Sequence, residues 1–434
     1  MSKTTNQAPQ SQERRERFGW TASEVWTERM LTALDNGVKG GKWFSLMDKV
    51  YALETLKAAW KQVRKNRGSA GVDKVSVDRF AGRSDVYLSE LSNSLADDDY
   101  QIDAVRRVYI PKGGGKTRPL GIPTVKDRVV QTALKRVLEP IFEVQFEDSS
   151  YGFRPGRSAK DALRRVDGLL KAGHVWVVDA DLESYFDTID HDRLMREVKR
   201  QVSDGRVLAL IHRYLEQDIL EGMKRWTPTK GTPQGAVLSP LLANIYLHPL
   251  DRLFAGRYEM VRYADDFVVL CESEAQAQQA LADIRQYCNG RGLRLHPEKT
   301  HVGDCRQPGQ GFEFLGYRFE AGQRWVRKKS RRAIRDRVRE ATKRCGGVSL
   351  DHMIKKLNPI LRGWFNYFKQ ANPLEFKGID GFTRRRLRAV LRKHQKRPGH
   401  GATRSDHLEW PNAFFAKRGL FTCLQAYALA RQSR

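Results

Sequence analysis

Three aspartates stand in segments whose composition otherwise disfavours acidic side chains. Asp181 closes an apolar run, and Asp265 and Asp266 stand side by side between aromatic and β-branched residues that are typical of β-strands. Crowded carboxylates ionise together only when cations neutralise them, and Mg²⁺ prefers oxygen ligands. Two such ions about 4 Å apart would drive an in-line phosphoryl transfer. The residues predict a two-Mg²⁺ site, with Mn²⁺ as a possible substitute; the alternative is an acidic cluster facing basic side chains.

Two strands must bring these carboxylates together. Residues 175–187 are predicted to form a buried strand that runs into acidic residues, with Asp179 and Asp181 on one face. The second strand spans about residues 262–270 and places the Asp pair near a hairpin turn. The apolar periods of the other segments predict helices over 23–65, 124–146, 192–220, 236–250 and 273–290 and from about 159, and short strands at 293–295 and 312–319.

A glycine-rich segment within residues 106–120 is predicted to be a β-hairpin. Its Gly-Lys-Thr triplet matches the end of a phosphate-binding P-loop, but Ile110 stands where that loop requires glycine, so we reject a P-loop. Lys112, Lys116 and Arg118 still form a compact cationic clamp for phosphates. The alternative is an exposed basic hairpin without a ligand.

The chain is strongly basic, with 78 Lys and Arg against 51 Asp and Glu and a net charge of +27. Such a charge indicates a polyanionic partner, most often nucleic acid; the alternative is a cationic surface without one. From about residue 324, two basic helices alternate with aromatic residues, a pattern that suits RNA, although most of the aromatics over 364–368 fit a core. The candidate nucleic-acid contacts are Lys328, Lys329, Arg331, Arg332, Arg335, Arg384, Arg385 and Arg388.

Cysteine usage and hydropathy favour the cytoplasm. The five cysteines are scattered and include no Cys-x-x-Cys, so a zinc ribbon, a zinc finger or a redox pair is not predicted. The polar first residues lack the apolar segment of a secretory signal, and no run of about 18 apolar residues predicts a membrane span. We therefore expect a cytoplasmic protein with reduced thiols and no membrane partner.

The segment Tyr263 to Asp266, Tyr-Ala-Asp-Asp, resembles the active-site box of reverse transcriptases. The surrounding blocks resemble the reverse transcriptase/maturase proteins encoded by bacterial group II introns, in the family's order and over nearly the whole chain from about residue 23. The combination is far more specific than any single box. The matching blocks are residues 110–123, 151–158, 181–191, 232–247, 293–299, 314–317, 357–368 and 410–415.

This resemblance implies roles for the matching positions. Asp181, Asp265 and Asp266 would be the catalytic carboxylates, with Asp266 the least direct metal ligand. Lys112 and Arg118 would hold the incoming triphosphate. The pocket would be completed by Tyr185, as a steric gate against a 2′-hydroxyl, and Gln234, as a lining residue. The alternatives are that Tyr185 belongs to the core and that Gln234 is a turn residue.

Two departures from the family pattern are visible. Glu183 stands where the family usually has a basic residue, two positions after the first aspartate, and this adds negative charge near the metals. Many relatives also carry a C-terminal endonuclease rich in His and Cys, which this chain lacks before Arg434. The chain thus resembles the endonuclease-lacking branch, which would depend on another source of primer and nick.

The resemblance implies an α+β right-hand polymerase with fingers, a palm of antiparallel sheet plus helices, a helical thumb and a small basic C-terminal domain. It would copy RNA into DNA, bind its intron RNA, and assist splicing and mobility. The partners would be intron RNA, an RNA template with a DNA or RNA primer, dNTPs and target DNA, as a monomer or dimer. Predicted domains are a disordered tail (1–22), extension and fingers (23–170), palm (171–321), thumb (322–375) and a DNA-binding-like domain (376–434).

Three rival functions remain open at this level. The first is an RNA-binding splicing cofactor without polymerase activity, against which the complete set of aspartates argues. The second is a related reverse transcriptase recruited to host defence or DNA repair, and the third is a DNA-templated polymerase. A competition between RNA and DNA templates distinguishes this third rival from a polymerase that copies RNA.

Overall fold

The computed structural model describes residues 16–113, 116–343 and 347–432, with the side chains of 112–116 outside the description. The described chain forms two compact units. The first comprises residues up to 173, residues 180–271 and residues 275–301; the second comprises residues 174–179, residues 272–274 and residues from 302 onward.

Helices make up most of the first unit because their apolar residues repeat with the helical period. In the helix that begins after Thr124, for example, the threonine hydroxyl accepts from the Asp127 backbone at 3.2 Å and caps the first turn. The helices are α1 Glu28–Asn36, α2 Met47–Tyr51, α3 Leu53–Asn66, α4 Val77–Ala81, α5 Ser84–Ala96, α6 Val125–Glu143, α7 Ala159–Lys171, α8 Tyr185–Thr188, α9 His191–Val198, α10 Gly205–Leu215, α11 Ser239–Phe254 and α12 Glu274–Arg291.

A four-stranded sheet contains the predicted glycine-rich hairpin. Its order is β2–β1–β4–β5, and β1 pairs antiparallel with β2, as predicted. Residues 114 and 115 at the hairpin turn lie outside the described residues. The strands are β1 Val105–Gly113, β2 Lys116–Ile122, β4 Ile219–Glu221 and β5 Lys224–Trp226.

A second sheet carries the aspartates. Strand β6 (Glu259–Tyr263) forms an antiparallel hairpin with β7 (Asp266–Cys271), in register so that Tyr263 faces Asp266. In the first unit the end of β3 (Trp176–Asp181) neighbours β7. The strand predicted to end in acidic residues is confirmed as β3. The single strand predicted over about 262–270 is instead divided between β6 and β7, because the hairpin turn falls between Tyr263 and Asp266 and puts Asp265 in the turn itself.

The second unit combines short strands with a helical domain. The order β11–β10–β9 forms one antiparallel sheet, and β8 adjoins the start of β3. Aromatics of α14 and α15 fill the helical core, with Phe365, Phe368 and Phe376 buried, which confirms the core alternative for those residues of 364–368. The elements are β8 His301–Asp304, β9 Phe312–Phe314, β10 Tyr317–Glu320, β11 Gln323–Val326, α13 Lys328–Ala341, α14 Leu350–Phe368, α15 Pro373–His394, α16 Arg404–Glu409, α17 Asn412–Lys417 and α18 Cys423–Gln432.

Several predicted segments differ from the structure. The predicted tail over 1–22 lies outside the described residues up to 15, and beyond it the prediction is wrong, because Phe18 is buried. The predicted helix over 192–220 is two helices, with a break before Asp204, whose carboxylate caps α10. Residues 293–295 form only a single bridge, between Leu295 and Leu182, because no longer partner strand lies alongside. In the described ranges, no helix is long and apolar enough to cross a membrane.

Candidate active site and nucleic-acid surface

The turn between β6 and β7 presents Asp265. Tyr263 pairs with Asp266, so Ala264 and Asp265 form a two-residue hairpin loop. Ala264 has a φ of 61°, in the left-handed region where the first residue of such a loop is usually glycine. A non-glycine residue persists there only when its surroundings hold it in place. The strained turn therefore fixes the backbone from which Asp265 projects.

Asp181 is held by the segment that follows α12. Its carbonyl accepts from the His296 backbone at 2.8 Å, and its backbone N–H donates to the Thr300 hydroxyl at 3.4 Å. Lys299 Nζ lies 2.7 Å from a carboxylate oxygen of Asp181. Lys299 closes the matching block over residues 293–299 but was not singled out from the sequence, because its partner lies 118 positions away.

The donor set fits a hard divalent cation. Its side chains are all carboxylates, and Asp181 already pairs with the cationic side chain of Lys299. In the part of the chain that is described, no three His, Cys, Asp or Glu side chains form a ready-made metal cage. Mg²⁺ is usually held by one or two carboxylates together with substrate phosphates. Asp181 and Asp265 are the residues that would hold it.

A buried ion pair stands behind the turn. Arg262 and Asp251 both have fully buried side chains and form a two-pronged contact, with Nε of Arg262 donating to Asp251 at 2.7 Å. Burial by itself lowers the pKa of Arg262, but Asp251 together with Tyr185 and Tyr287 raises it overall, so the arginine stays charged. Sequence reasoning missed both residues; the available signals were an arginine in an apolar strand and an aspartate in an apolar helix.

Tyr185 is buried rather than open to a ligand. Its ring is 2% exposed, and its hydroxyl donates to the Ala243 carbonyl at 2.6 Å. Burial raises the pKa of this hydroxyl well above its usual value, so it stays protonated. The gate role remains a prediction; Phe186 packs edge-on against Tyr185 and is more exposed.

Gln234 lines a cavity of about 200 Å³ together with Arg107, Asp187 and Trp226. The Gln234 carbonyl accepts from the Gly121 backbone at 2.7 Å, which ties this turn to β2. The Arg107 guanidinium lies 5.1 Å from the Trp226 ring centroid. Among the described lining residues of this cavity, the three aspartates and Tyr185 are absent, so the structure does not bring Gln234 to them through a common cavity.

The hairpin that should hold the triphosphate is described only in part. Arg118 on β2 is exposed and pairs in register with Ile110 on β1. The side chains of Lys112 and Lys116 lie outside the described residues. Their role as phosphate contacts therefore stays a prediction.

The second unit carries an aromatic ring surrounded by arginines. Arg335, Arg339 and Arg385 place their guanidiniums 5.7, 5.5 and 5.6 Å from the centroid of Phe382. The three arginines are exposed, and Phe382 is half-buried. Three guanidinium groups around one aromatic ring concentrate positive charge at one place on the surface. Such a surface suits the phosphate backbone of a nucleic acid. We call these four residues the Phe382 cluster.

The other predicted nucleic-acid contacts divide into two groups. Lys328, Lys329 and Arg332 are exposed on α13, and Arg384 is half-buried. Arg331 lies 3.4 Å from the buried Glu375 carboxylate, so part of its positive charge is neutralised within the second unit. These five residues remain predicted contacts.

Arg388 is the exception among the predicted contacts. It is 2% exposed, and its guanidinium donates to the Trp410 carbonyl at 2.9 Å and to Asn412 at 3.1 Å. Those bonds join α15 to α17, which makes Arg388 a core residue. The prediction of a surface contact is corrected for this residue, because the helical period did not reveal the covering segment.

Comparison with known proteins identifies the family of the chain. Residues 110–319 match the model of the reverse transcriptase (RNA-dependent DNA polymerase) family, and residues 323–408 match that of the group II intron maturase-specific domain. Protein YkfC of Escherichia coli K12 is 37% identical, over 62% of this chain and 78% of its own. The group II intron-encoded protein LtrA of Lactococcus lactis is 40% identical over 45% of this chain, a match that spans 32% of LtrA. The apo telomerase structure from Candida tropicalis has a TM-score of 0.45 at 13% identity, over 81% of this chain and 77% of that chain.

The chain belongs to the family of reverse transcriptase/maturase proteins encoded by group II introns. The predicted family, the α+β polymerase fold and the enzyme class, an RNA-directed DNA polymerase, are thereby confirmed. A polymerase of this family depends on divalent metal ions and binds RNA.

Proposed function

We propose that this chain copies RNA into DNA by nucleotidyl transfer that uses two Mg²⁺ ions, with Asp181 and Asp265 as the direct ligands and Asp266 as a weaker contributor. When bound, such ions lower the pKa of the attacking hydroxyl and neutralise charge on the phosphates. The observation that carries the proposal is that Asp265 lies in a fixed hairpin loop that leads into β7. The neighbour of β7 in the sheet is β3, which ends at Asp181.

The residues of the first unit divide the remaining work. Arg118, with Lys112, holds the triphosphate, since an arginine fork and a lysine point charge both suit phosphate oxygens. The Tyr185 ring, although only 2% exposed, would form the floor beneath the sugar and leave no room for a ribose 2′-hydroxyl, and its bond to the Ala243 carbonyl keeps the ring in place. Gln234, in the turn that follows Pro233, lines the pocket for the incoming nucleotide. Lys299 balances the charge of Asp181 until a metal replaces it.

The second unit binds the intron RNA, and the full activity includes splicing assistance, movement into target DNA and use of a DNA or RNA primer. The exposed Phe382 cluster supports this, because RNA is held by phosphate contacts and by stacking on flat groups. The location is the bacterial cytoplasm, supported by the free buried thiols of Cys271, Cys288, Cys305 and Cys423.

Template choice tests the polymerase function. Primer extension with dNTPs and Mg²⁺ is run on an RNA template, on a DNA template of the same sequence, and on both in competition. Preferred extension on RNA supports the proposal. Extension on DNA alone would favour a DNA-templated polymerase. Tight RNA binding without extension on either template would favour a splicing cofactor.

Partner choice tests the maturase function. Affinity is measured for a folded group II intron RNA and for a scrambled RNA of equal length and charge. A clear preference for the intron at physiological salt supports an intron-bound role. Equal affinity for both RNAs, together with active polymerisation, would favour a related enzyme recruited to host defence or DNA repair.

A further inference from the structure

Arg262 is a fully buried arginine on β6, just before the hairpin loop that leads to Asp265 and Asp266. Its guanidinium and the Asp251 carboxylate are both at 0% exposure. A buried ion pair is weak evidence for stability, because removing two charges from water costs about as much as their attraction returns. The contacts that Arg262 makes beyond Asp251 therefore matter more than the pair itself.

Arg262 reaches three different segments. Its Nη1 donates to the Ala264 carbonyl at 2.8 Å and to the Asn244 side chain at 3.0 Å. Its Nη2 donates to the Ser150 hydroxyl at 2.7 Å as well as to Asp251. One side chain thus joins the hairpin loop, helix α11 and the segment around residue 150.

The carbonyl that Arg262 holds belongs to the strained residue. Ala264 has its φ at 61°, and its carbonyl is part of the peptide that leads into Asp265. A charge-assisted bond from a fixed guanidinium orients that peptide plane. The direction in which Asp265 leaves the backbone depends on the same plane.

The segment around residue 150 closes the other side of the loop. The Tyr151 backbone donates to the Arg262 carbonyl at 2.8 Å, and Asn244 donates to the Gly152 carbonyl at 2.8 Å. A Cβ on Gly152 would lie 2.3 Å from the Ala264 backbone nitrogen, so only glycine allows this approach. The loop is held from both faces by one hydrogen-bonded network.

We infer that Arg262 is a positioning residue for metal binding: through its bond to the Ala264 carbonyl it holds the Asp265 carboxylate in the direction that receives the divalent ion. The inference rests on the proposed metal role of Asp265. Arg262 itself touches neither metal nor substrate. Outer partners of metal ligands commonly change metal affinity by about 10- to 100-fold when they are removed.

The test uses two variants of the full chain. Arg262→Lys keeps a positive charge for Asp251, but its donors all lie on one nitrogen and cannot replace the forked guanidinium that reaches Ala264, Ser150 and Asp251. The double variant Arg262→Met with Asp251→Leu removes the pair together and is expected to fold, because apolar residues of similar volume replace buried pairs well. Folding is verified by circular dichroism and by the unfolding midpoint.

Two readouts follow metal directly. Mn²⁺ is titrated into the protein alone and free ion is measured by electron paramagnetic resonance, and the Mg²⁺ concentration for half-maximal extension is measured separately. Both variants should bind Mn²⁺ about 10-fold more weakly or worse and need correspondingly more Mg²⁺, while RNA affinity stays native. A role limited to stability would lower the unfolding midpoint and leave both metal readouts unchanged.

Ser150→Ala is the matched control. It removes one buried acceptor of Arg262 and leaves the bond to Ala264, so its Mn²⁺ affinity should stay within about threefold of the native value. Native Mn²⁺ affinity in either folded Arg262 variant overturns the inference. Asp265→Ala separates the two levels: if it weakens Mn²⁺ binding and the Arg262 variants do not, only the inference fails. If Asp265→Ala also binds Mn²⁺ natively, the metal assignment fails and the inference fails with it.

Discussion

The two units use arginine in opposite ways. In the first, Arg262 is completely buried against Asp251 and behind the loop that carries Asp265. In the second, the arginines of the Phe382 cluster are open to solvent. A buried charge fixes geometry, because loss of one partner leaves the other unpaired in a medium of low polarity. An exposed charge changes geometry little and acts on a partner through long-range attraction. Changes in the first unit should therefore act on folding and metal binding, and changes in the second on RNA affinity.

The largest effect should come from breaking the buried pair on one side. Asp251→Ala leaves the Arg262 charge buried without its carboxylate and should cost about 3–5 kcal/mol of the free energy of unfolding. Urea unfolding followed by circular dichroism measures this loss. The double variant with Arg262→Met and Asp251→Leu is the comparison and should recover most of it. A single variant as stable as the native chain would contradict the structural role of the pair.

A buried acid that is hydrogen-bonded to hydroxyl groups sharpens the contrast. Asp127 has a fully buried side chain that accepts from the Thr124 hydroxyl at 2.6 Å, and burial raises its pKa to about 6 from 3.8. The folded chain therefore holds a proton between those values that the unfolded chain releases. The stability from this group is complete below about pH 4 and is lost as pH rises through about 6, about 3 kcal/mol in all.

Asp127→Asn removes this titration. The stability of the variant minus that of the native chain should rise by about 3 kcal/mol between about pH 4 and about pH 7. Urea unfolding of both chains at the two pH values measures the difference. A difference that does not change with pH would mean that Asp127 titrates alike in the folded and unfolded chains.

The Phe382 cluster should change affinity without changing stability. Replacing Arg335, Arg339 and Arg385 by Gln should weaken RNA binding about 10- to 100-fold at low salt and reduce the slope of log affinity against log salt by about 2 to 3. Replacing the same three residues by Lys keeps the charge and should preserve the slope, while losing the contacts with the ring. An unaltered slope in the Gln variant would place the RNA elsewhere.

At Tyr185 we expect a smaller loss of stability than at Asp251 or Asp127. Tyr185→Phe removes the bond to the Ala243 carbonyl and should cost about 1 kcal/mol, with the ring and therefore sugar selectivity retained. Tyr185→Ala removes the ring and should raise the incorporation of ribonucleotides. The ratio of ribonucleotide to deoxyribonucleotide incorporation measures this. Unchanged selectivity in Tyr185→Ala would assign the residue to the core alone.

The sequence indicated the strands and the family because those signals are local. Strand composition placed Asp181 at a strand end and the Asp pair on a strand near a hairpin turn, and the Tyr-Ala-Asp-Asp order indicated the family. The exact position of the turn, at Ala264 and Asp265, was not predicted. The same local reasoning merged α9 and α10 into one helix, because the cap at Asp204 was not recognised as a start signal. It also extended the disordered tail past Phe18, whose burial depends on the rest of the unit.

The supports of the site could not be predicted, because their partners lie far apart in the chain. Ser150 is 112 positions from Arg262, and Lys299 is 118 positions from Asp181. No periodicity joins such positions. Arg388 shows the same limit in reverse, since a regular basic helix gave no sign that residues near Trp410 would cover it.

Primer extension on an RNA template, with dNTPs and Mg²⁺, tests the central claim most directly when the native chain is compared with Asp265→Ala and Asp179→Ala. Asp179 is the matched acid: it accepts from the Glu313 backbone at 3.3 Å and was assigned no catalytic role. We expect extension to fall by about 10³-fold or more in Asp265→Ala, with RNA affinity retained, because a metal ligand supplies several kcal/mol of transition-state stabilisation. Asp179→Ala should still extend. Native extension by Asp265→Ala would contradict the account.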